Sequence, residues 1–587
     1  MRILYLLFTM VCFVRANTLL PPSDFLGYKL GDKFTPHHLV VDYLFHVSQN
    51  EPNVKIIEYG KTYEGRPLML AFISSVDNMD KLEQIRKDNL TRAGIIKGST
   101  KTKKVGIVWL SYNVHGNEAN STEAAMKTLH ALADKSNTNT QEWLKNTVVI
   151  IDPSVNPDGR DRYANWYRMT ANRWPDADPL GREHMEPWPG GRTNHYYFDL
   201  NRDWAWQTQI ESQQRIIKYN EWLPHIHVDF HEQGYNSPYF FAPAAKPLHQ
   251  YITDWQRDFQ KTIGLNHAKY FDRNNWLYFT KESFDLLYPS YGDTYPTYNG
   301  AIGMTYEQAG HSRGGLAIET EDGDTLTLAD RLEHHYTTGL STIEVASKNV
   351  EKMVNEFSDF FNPNRKELVD TFKSYVITRS NPTDKLNHLK SWLDKNGIEH
   401  RTSDETRSFR AFNYQNGLTD LIKVKKGDLV ISSNQPKSIL VHVLFEPNTF
   451  LEDTMTYDIT AWSVPYVYGL QAYATKSTIK TTDSQRYFSK RDKLNSYPYA
   501  YILPWGGIDD IRFLSEIYQH NIVARVSVEP FEIKKKRFDR GTIILTRKSN
   551  ENLGDQFDDI IKKAANKFNR PITSCLLYTS PSPRDPL

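Results

Sequence analysis

The chain has 587 residues, a length that predicts two or three domains. Hydrophobic residues make up 39% of the sequence and charged residues 24%, as in ordinary globular proteins. The formal net charge of +1 gives no general attraction to polyanions, so we expect no nucleic-acid partner. After the first 20 residues no apolar run reaches the ~18 residues of a membrane-spanning helix, so we expect no transmembrane segment in the mature chain.

The beginning of the chain has the pattern of an export signal. Arg2 supplies a positive charge, and residues 3–14 form a nearly unbroken apolar run. Small or tolerated residues then precede Asn17, which predicts cleavage before it. We therefore expect residues 1–16 to be a signal peptide and the mature chain to be secreted or periplasmic.

Cysteine chemistry is excluded from the body of the chain. The two cysteines are Cys12 and Cys575, one near each end. This placement excludes a disulfide framework and a cysteine-ligated metal site. It also excludes a cysteine nucleophile for catalysis.

Strand and helix patterns alternate through the first part of the chain. The predicted strands are 55–60, 68–73, 105–111, 148–152, 226–231 and 303–306, and the predicted helices are 123–132, 210–223 and 328–357. A long loop rich in Trp, Pro and Gly is predicted over 165–197. This alternation predicts an α/β domain over 34–360, with a mixed, largely parallel sheet covered by helices.

A second α/β domain is predicted over 370–570. Its predicted strands are 375–378, 428–432, 438–444, 500–504 and 541–546, and its predicted helices are 382–396 and 557–568. Residues 573–587 are polar and Pro-rich and have no strand or helix period. We expect them to be a disordered or non-native tail.

A candidate metal site lies at the ends of two predicted strands. His115 and Glu118 follow the strand 105–111, and Gly116 between them permits a tight turn. His231 ends the strand 226–231. Two histidines and one carboxylate with an open fourth position are typical of catalytic zinc sites. The pattern therefore predicts one zinc ion per chain.

Other polar residues lie on or after the same strands. Glu307 follows the strand 303–306, and a carboxylate beside a zinc-bound water can act as a general base. His225 and His227 share one strand face with His231. Because they lie further from the strand end, we expect these two rings to be packed or hydrogen-bonded in the interior.

Five motifs occur in order along the first domain. They are His115-Gly-Asn-Glu118, Asn156-Pro-Asp-Gly159, Asp199-Leu-Asn-Arg202-Asp-Trp, His231 and Thr305-Tyr-Glu307. Together they resemble the zinc metallocarboxypeptidases of the carboxypeptidase A and B clan, in the form of a secreted, bacterial-type multidomain member. The resemblance covers roughly residues 34–357 and implies a carboxypeptidase-like fold.

The resemblance implies a role for each residue of the metal site. His115, Glu118 and His231 would be the zinc ligands. Glu307 would take the proton of the attacking water and return it to the leaving amine. Asp199 would accept the second ring N–H of His115 and fix its tautomer, although a cap at a strand end is an alternative role for it.

The resemblance also implies cationic groups that contact the substrate. Asn201 and Arg202 would hold the terminal carboxylate, to which the planar guanidinium fork is well matched. A further arginine would stabilise the oxyanion. Arg192 and Arg168 are the two candidates, and Arg192 is favoured.

Two further assignments rest on the segment before Glu307. The mobile tyrosine of the family would be Tyr288, with Tyr291 as the alternative. The base of the pocket for the terminal side chain would be Asp293 or Thr294. A turn role for Asp293 is favoured, because Asp is common in turns that contain Gly.

These residues predict a secreted zinc-dependent metallocarboxypeptidase. It would remove C-terminal residues from peptides or proteins with a free C-terminus, by means of a zinc-activated water and a Glu general base. One alternative is an amidase or peptidoglycan peptidase that uses the same zinc site. A non-catalytic peptide-binding protein is less favoured, because ligands, base and carboxylate clamp are all present.

The alternation in the second domain weakly resembles the amidotransferase-like domains attached to some bacterial carboxypeptidases. Such domains use a Cys nucleophile, and residues 370–570 contain no cysteine. We therefore expect a degenerate domain with a packing or substrate-selecting role.

Overall fold

A computed structural model describes residues 18–365, 368, 371–458, 461–484, 486–487, 493–533 and 535–576. The predicted signal peptide, residues 1–16, lies outside these ranges. The chain divides into two units. The first contains Met1–Val369, Asn434–Leu444 and Asn448–Trp462, and the second contains Asp370–Ser433, Phe445–Pro447 and Ser463–Leu587. Among the described residues, no helix is both long enough and apolar enough to cross a lipid bilayer.

The helices and strands of the described chain have the following bounds. The helices are α1 (Pro22–Leu26), α2 (His37–Asn50), α3 (Val76–Met79), α4 (Leu82–Arg92), α5 (Asn120–Ala133), α6 (Thr138–Leu144), α7 (Pro157–Thr170), α8 (Ile210–Trp222), α9 (Asp254–Asn274), α10 (Thr294–Thr297), α11 (Leu328–Lys348), α12 (Val350–Phe360), α13 (Thr383–Lys395), α14 (Ser438–Phe445), α15 (Val464–Val467), α16 (Ile508–Gln519) and α17 (Gln556–Lys567). The strands are β1 (Val54–Lys61), β2 (Pro67–Ile73), β3 (Gly106–Tyr112), β4 (Thr147–Asp152), β5 (Ile226–Gln233), β6 (Tyr239–Phe240), β7 (Ala245–Leu248), β8 (Tyr278–Phe279), β9 (Asp285–Leu286), β10 (Ile302–Ala309), β11 (Ala317–Glu319), β12 (Thr325–Thr327), β13 (Ser374–Ile377), β14 (Arg401–Ser403), β15 (Arg407–Asn413), β16 (Thr419–Val424), β17 (Leu429–Ser432), β18 (Ala472–Thr475), β19 (Thr481–Asp483), β20 (Ala500–Leu503), β21 (Arg525–Val526), β22 (Phe531–Ile533), β23 (Lys536–Phe538), β24 (Ile543–Thr546) and β25 (Thr573–Cys575).

The first unit is built on one mixed sheet with the strand order β1-β2-β4-β3-β5-β10-β6-β8. Its central strands β4, β3, β5 and β10 are parallel to one another. Every residue of β3 and of β4 is buried, as expected for parallel strands covered on both faces. The predicted α/β domain with a mixed, largely parallel sheet is confirmed.

A buried ion pair joins the two helices that flank the metal site. The side chains of Glu123 in α5 and Arg160 in α7 are both fully buried. Both Glu123 oxygens accept from Arg160 Nη2, at 2.7 and 2.9 Å. Glu123 also accepts from the backbone N–H of Thr35, and the Arg160 guanidinium donates to the carbonyl of Thr35. The pair thus fixes the starts of both helices.

Two predicted boundaries in the first unit are wrong. The loop predicted over 165–197 begins only after α7, which continues to Thr170 because Tyr163 and Tyr167 bury one of its faces. The single helix predicted over 328–357 is two helices. Asn349 has non-helical angles (φ −122°, ψ 18°) and separates α11 from α12.

The strand predicted over 438–444 is also wrong, since these residues form helix α14. Its apolar side chains, from Ile439 to Phe445, are all buried. A short run that is apolar on every side has neither the helical nor the strand period, so the sequence does not distinguish the two structures.

The second unit combines helices with sheets. One sheet has the order β16-β15-β18-β13-β17-β14-β19, and another has the order β21-β24-β20-β25. The recorded strand pairs within both sheets are antiparallel, whereas β/α alternation is typical of a parallel sheet. The amidotransferase-like assignment stays a prediction, and these antiparallel pairs do not support it.

The predicted tail begins too early. Thr573–Cys575 form β25, which pairs with β20 through Ser574 and Tyr501. Backbone pairing at this sheet edge orders the three residues although they have no strand pattern of their own. The rest of the predicted tail, from residue 577 onward, lies outside the described residues.

Loss of the Glu123 carboxylate should destabilise the fold strongly. Glu123→Ala leaves the Arg160 cation buried without its partner, so we expect the free energy of unfolding to fall by about 3–5 kcal/mol. Chemical denaturation followed by tryptophan fluorescence measures the change. As a control, Glu142→Ala removes only an exposed ion pair with Lys145 and should leave stability nearly unchanged. Equal losses in the two variants would contradict the structural role of the buried pair.

Candidate metal and active site

The three predicted metal ligands lie together at the carboxyl ends of two neighbouring strands. His115 and Glu118 follow β3, and His231 lies in β5. The two strands are parallel, and Tyr112 pairs with Phe230 near their ends. One ligand atom from each of His115, Glu118 and His231 lies within 4.8 Å of the others, and all three residues are buried.

The donor atoms of these side chains converge. His115 Nδ1 lies 2.8 Å from Glu118 Oε1, and His231 Nδ1 lies 3.0 Å from Glu118 Oε2. The two Nδ1 atoms are 3.2 Å apart. Two imidazole nitrogens and one carboxylate form a donor set that zinc uses in catalytic sites. The residues present therefore fit a zinc ion.

The His115 ring is oriented from its other nitrogen, because His115 Nε2 lies 3.0 Å from Asp199 Oδ1. His231 Nε2 has two neighbours, Asp229 Oδ2 at 3.0 Å and Asn201 Nδ2 at 3.2 Å. An Nε2–H that donates to a carboxylate leaves the Nδ1 lone pair for a metal. Asp199 Oδ1 also accepts from the backbone N–H of Asn201, so Asp199 is a cap as well as a partner of His115.

The turn between His115 and Glu118 requires a residue without a side chain. A Cβ at Gly116 would lie 2.2 Å from the backbone nitrogen of Arg160 and 2.4 Å from the carbonyl oxygen of Gly191. Neither backbone atom can move aside as a flexible side chain would. Gly116 therefore lets the ligand-bearing turn lie directly on the backbone of α7.

A cavity of about 290 Å³ opens at the ligand group. Its walls include most of the residues that the sequence predicted for the site. These are His115, Glu118, Arg192, Asn201, Arg202, His231 and Glu307. The structure thus brings together residues from four of the five sequence motifs, together with Arg192.

Arg192, rather than Arg168, lies at the metal site. Arg192 donates to Asp199 Oδ2 from Nε at 3.1 Å and from Nη2 at 2.9 Å, and its Nη1 lies 3.6 Å from Glu118. Arg168 is exposed and donates to the carbonyl of Phe34, and it is not among the described residues that line the cavity. The assignment of Arg168 to substrate binding stays a prediction, and this position does not support it.

Tyr291, rather than Tyr288, lines the cavity. Tyr288 is only 5% exposed, and its hydroxyl accepts from Trp206 Nε1 at 2.7 Å. The assignment of the mobile tyrosine to Tyr288 stays a prediction, and this position does not support it. The position of Tyr291 in the cavity wall favours the alternative assignment.

Glu307 lies directly beside a metal ligand. It is part of β10, where it pairs in parallel register with His231 of β5. Burial removes its carboxylate from water and raises the pKa of Glu307 to about 8. A divalent cation nearby would favour the charged form, which is the form that accepts a proton.

Asp199 has the opposite electrostatic environment. Burial alone would raise its pKa, but His115 and Arg192 hold the pKa of Asp199 below its ordinary value. The Asp199 carboxylate is thus negative and can accept from His115 Nε2 and from the Arg192 guanidinium at once.

Asp293 is one of the two candidates for the base of the pocket. It precedes α10, but its side chain makes no cap hydrogen bond there. Instead Asp293 lines the cavity, and its Oδ2 accepts from Thr305 Oγ1 at 2.9 Å. Burial raises the pKa of Asp293 to about 6. These contacts favour the pocket role over the turn role for Asp293, although both roles stay predictions. Thr294 donates to the carbonyl of Tyr288.

Comparison with known proteins identifies the first part of the chain. Residues 40–264 match a family model described as zinc carboxypeptidase. These residues form a zinc carboxypeptidase domain. The match includes His115, Glu118 and His231, and family members are zinc hydrolases. Glu307 lies beyond the matched residues.

Solved structures of metallocarboxypeptidases are similar to part of this chain. The enzyme from Burkholderia cenocepacia has 17% identity and a TM-score of 0.35, and the match covers 54% of this chain and 69% of that one. The enzyme from Pseudomonas aeruginosa has 12% identity and a TM-score of 0.37, with coverage of 54% and 68%. Carboxypeptidase A from Helicoverpa armigera has 17% identity and a TM-score of 0.35, with coverage of 57% and 79%. A comparison with curated proteins finds no match.

Some residues of the zinc carboxypeptidase site had no sequence signal. His311 lines the cavity, with Nε2 3.9 Å from Glu118 Oε1. Tyr457 lines it as well, although it follows Glu307 by 150 positions in the chain. No short motif connects such distant residues, so only the folded chain reveals them.

Removal of one ligand should abolish metal binding. His231→Ala takes away one of the three donors, so we expect the zinc content to fall from about one ion per chain to near zero. Elemental analysis of the purified protein measures it, and circular dichroism checks the fold. His195→Ala is the matched control, because this half-exposed ring pairs with Glu64 outside the ligand group. Full zinc occupancy in His231→Ala would show that the ligand assignment is wrong.

Proposed function

We propose that this chain is a zinc-dependent carboxypeptidase, which hydrolyses the last peptide bond of peptides or proteins with a free C-terminus. One observation carries the proposal. A single buried cavity is lined by the zinc-ligand group, by the carboxylate of Glu307 and by the guanidinium groups of Arg192 and Arg202. This set contains a metal site, a base and two cations for an anionic substrate.

A zinc ion held by His115, Glu118 and His231 would supply a Lewis acid to polarise the scissile carbonyl and to acidify water. Glu307 accepts the proton of the attacking water as its oxygen bonds to the carbonyl carbon. The same carboxyl then gives this proton to the leaving nitrogen as the C–N bond breaks. The register of β5 and β10 keeps this carboxylate next to His231.

Arg192 stabilises the negative charge that develops on the carbonyl oxygen. Its guanidinium lies between Asp199 and Glu118, and hydrogen bonds to Asp199 hold it in place. A cation that hydrogen bonds have already oriented stabilises the transition state without further reorganisation.

Asn201 and Arg202 bind the substrate's terminal carboxylate. Both line the cavity, and Arg202 remains 33% exposed and so accessible to a ligand. Asn201 Oδ1 accepts from the backbone N–H of Gly292 at 2.7 Å, which orients the amide. A Cβ at Gly292 would collide with Asp229 Oδ2, so this close approach requires glycine.

We also propose that the enzyme acts outside the cytoplasm. The support is the sequence pattern of residues 1–16, with a positive start and an apolar run. N-terminal sequencing of the exported protein should begin at Asn17. Retention of the whole chain inside the cell would contradict the proposal.

Substitution of the proposed base should separate catalysis from metal binding. Glu307→Gln keeps the shape of the side chain but cannot accept the proton, so we expect unchanged zinc content and a kcat lower by roughly 10²–10⁴-fold. Hydrolysis of a blocked dipeptide with a free C-terminus measures kcat. Glu321→Gln, which removes an exposed carboxylate, is the control.

The same assay tests the requirement for a terminal carboxylate. The amidated form of the blocked dipeptide should be cleaved far more slowly by the wild-type enzyme. Equal rates on both forms would instead favour an amidase or peptidoglycan peptidase on the same zinc site. Normal turnover by Glu307→Gln would assign the proton transfer to another group.

Asp293 should favour basic C-terminal residues. Its Oδ1 has no hydrogen-bond partner in the described protein, and a cationic substrate side chain would supply one. We expect Asp293→Ala to lower the ratio of kcat/KM for Arg-ended over Phe-ended peptides by about tenfold or more, on the scale of a buried charge pair. Thr297→Ala, which alters a buried hydroxyl nearby, should keep the ratio. An unchanged ratio in Asp293→Ala would reject the pocket role.

A further inference from the structure

Arg202 already binds a carboxylate of its own chain. Arg202 Nε donates to Asp458 Oδ2 at 3.1 Å. The same oxygen accepts from the Tyr291 hydroxyl at 2.5 Å. Asp458 lies in the segment Asn448–Trp462, which belongs to the first unit together with Arg202 and Tyr291. The proposed clamp for a substrate carboxylate is thus bonded to an internal carboxylate.

Several contacts keep Asp458 at this place. The Arg202 guanidinium lies 4.4 Å from the ring centroid of Tyr291, so the cation and the hydroxyl face the same oxygen. Burial raises the pKa of Tyr291, which keeps its hydroxyl protonated and able to donate. The backbone N–H of Tyr457 donates to Asp285 Oδ2 at 2.7 Å and anchors the neighbouring residue.

The ion pair is accessible to exchange. Arg202 is 33% exposed and Asp458 is 28% exposed. Ion pairs with this degree of exposure contribute little stability, because water and salt screen them. A substrate carboxylate can therefore displace Asp458, but it must compete with a group that is tethered beside the clamp and so has a high effective concentration.

We propose that Asp458 is a specificity-determining residue that competes with the substrate's terminal carboxylate for Arg202. The inference rests on the proposed carboxypeptidase function. A substrate that relies on its terminal carboxylate alone then binds weakly. A substrate that also offers groups to the rest of the cavity overcomes the competition, so the internal carboxylate increases selectivity.

The opposite role makes an opposite prediction. If Asp458 only positioned Arg202 for the substrate, its loss would weaken the binding of terminal carboxylates. Competition instead requires that its loss strengthens this binding. The sign of the change therefore decides between the two roles.

The test variant is Asp458→Asn in the zinc-loaded full chain. The amide keeps an oxygen acceptor for Arg202 and Tyr291 but removes the competing charge. Arginine and argininamide, and phenylalanine and phenylalaninamide, serve as competitive inhibitors. Within each pair only the terminal carboxylate differs, so the comparison measures the contribution of that carboxylate to binding. The two pairs cover an enzyme that prefers a basic side chain and one that prefers an aromatic side chain.

We expect the inhibition constants of the free acids to fall by roughly 3- to 10-fold, the range for release of a partly exposed ion pair. Those of the amides should stay unchanged. KM for a blocked dipeptide with a free C-terminus should fall in parallel, at constant kcat. Asp453→Asn makes the same charge change at an exposed position of the same segment and should have no effect.

Unchanged or weaker inhibition by the free acids in Asp458→Asn would overturn the inference. So would equal tightening of acids and amides, since that would reflect a general opening of the site. Failure of the proposed function is distinguishable, because it appears as absent peptide hydrolysis by the wild-type enzyme. The binding of acids and amides to the two proteins can then be measured directly by calorimetry and still decides the role of Asp458.

Discussion

Carboxylates outnumber cations around the central cavity, and the rest of the site depends on how this negative charge is balanced. Glu118 and Glu307 both line the cavity and are buried. The nearby guanidinium of Arg192 already pairs with Asp199. Buried charges without compensation are costly. A divalent cation held by His115, His231 and Glu118 would supply positive charge there. It would also favour the charged form of Glu307, whose pKa is raised to about 8 by burial. The excess of carboxylates thus favours a bound cation.

The parallel strands determine where the charged groups of the site lie. Neighbouring parallel strands end at the same sheet edge, so residues distant in sequence meet there. His231 in β5 pairs with Glu307 in β10, and β5 also lies next to β3, which leads into His115. The proposed ligand His231 and the proposed base Glu307 are therefore positioned by the backbone hydrogen bonds of a sheet, which is more rigid than a loop.

How much the sequence could predict depended on whether the signal was local. The turn from His115 to Glu118 was predictable because its ligands are three residues apart and Gly116 lies between them. The choice between Tyr288 and Tyr291 was not, since it depends on which hydroxyl accepts a hydrogen bond from Trp206 in the folded chain. Likewise the sequence run that became α14 is apolar on every side, so only tertiary packing decides its structure.

The two arginines of the site differ in the origin of their partners. Arg192 bonds to Asp199, which also holds His115, so these three residues form one connected group close to the metal site. Arg202 bonds to Asp458, which comes from a segment more than 250 positions away in the chain. The two pairs have similar exposure: the side chains of Arg192 and Asp199 are 37% and 21% exposed, and those of Arg202 and Asp458 are 33% and 28% exposed. They differ in what they connect. The first pair is joined to a histidine of the metal site, which suits the fixed geometry that the proposed transition-state stabilisation needs. The second pair joins two distant segments, which suits the proposed exchange with a ligand.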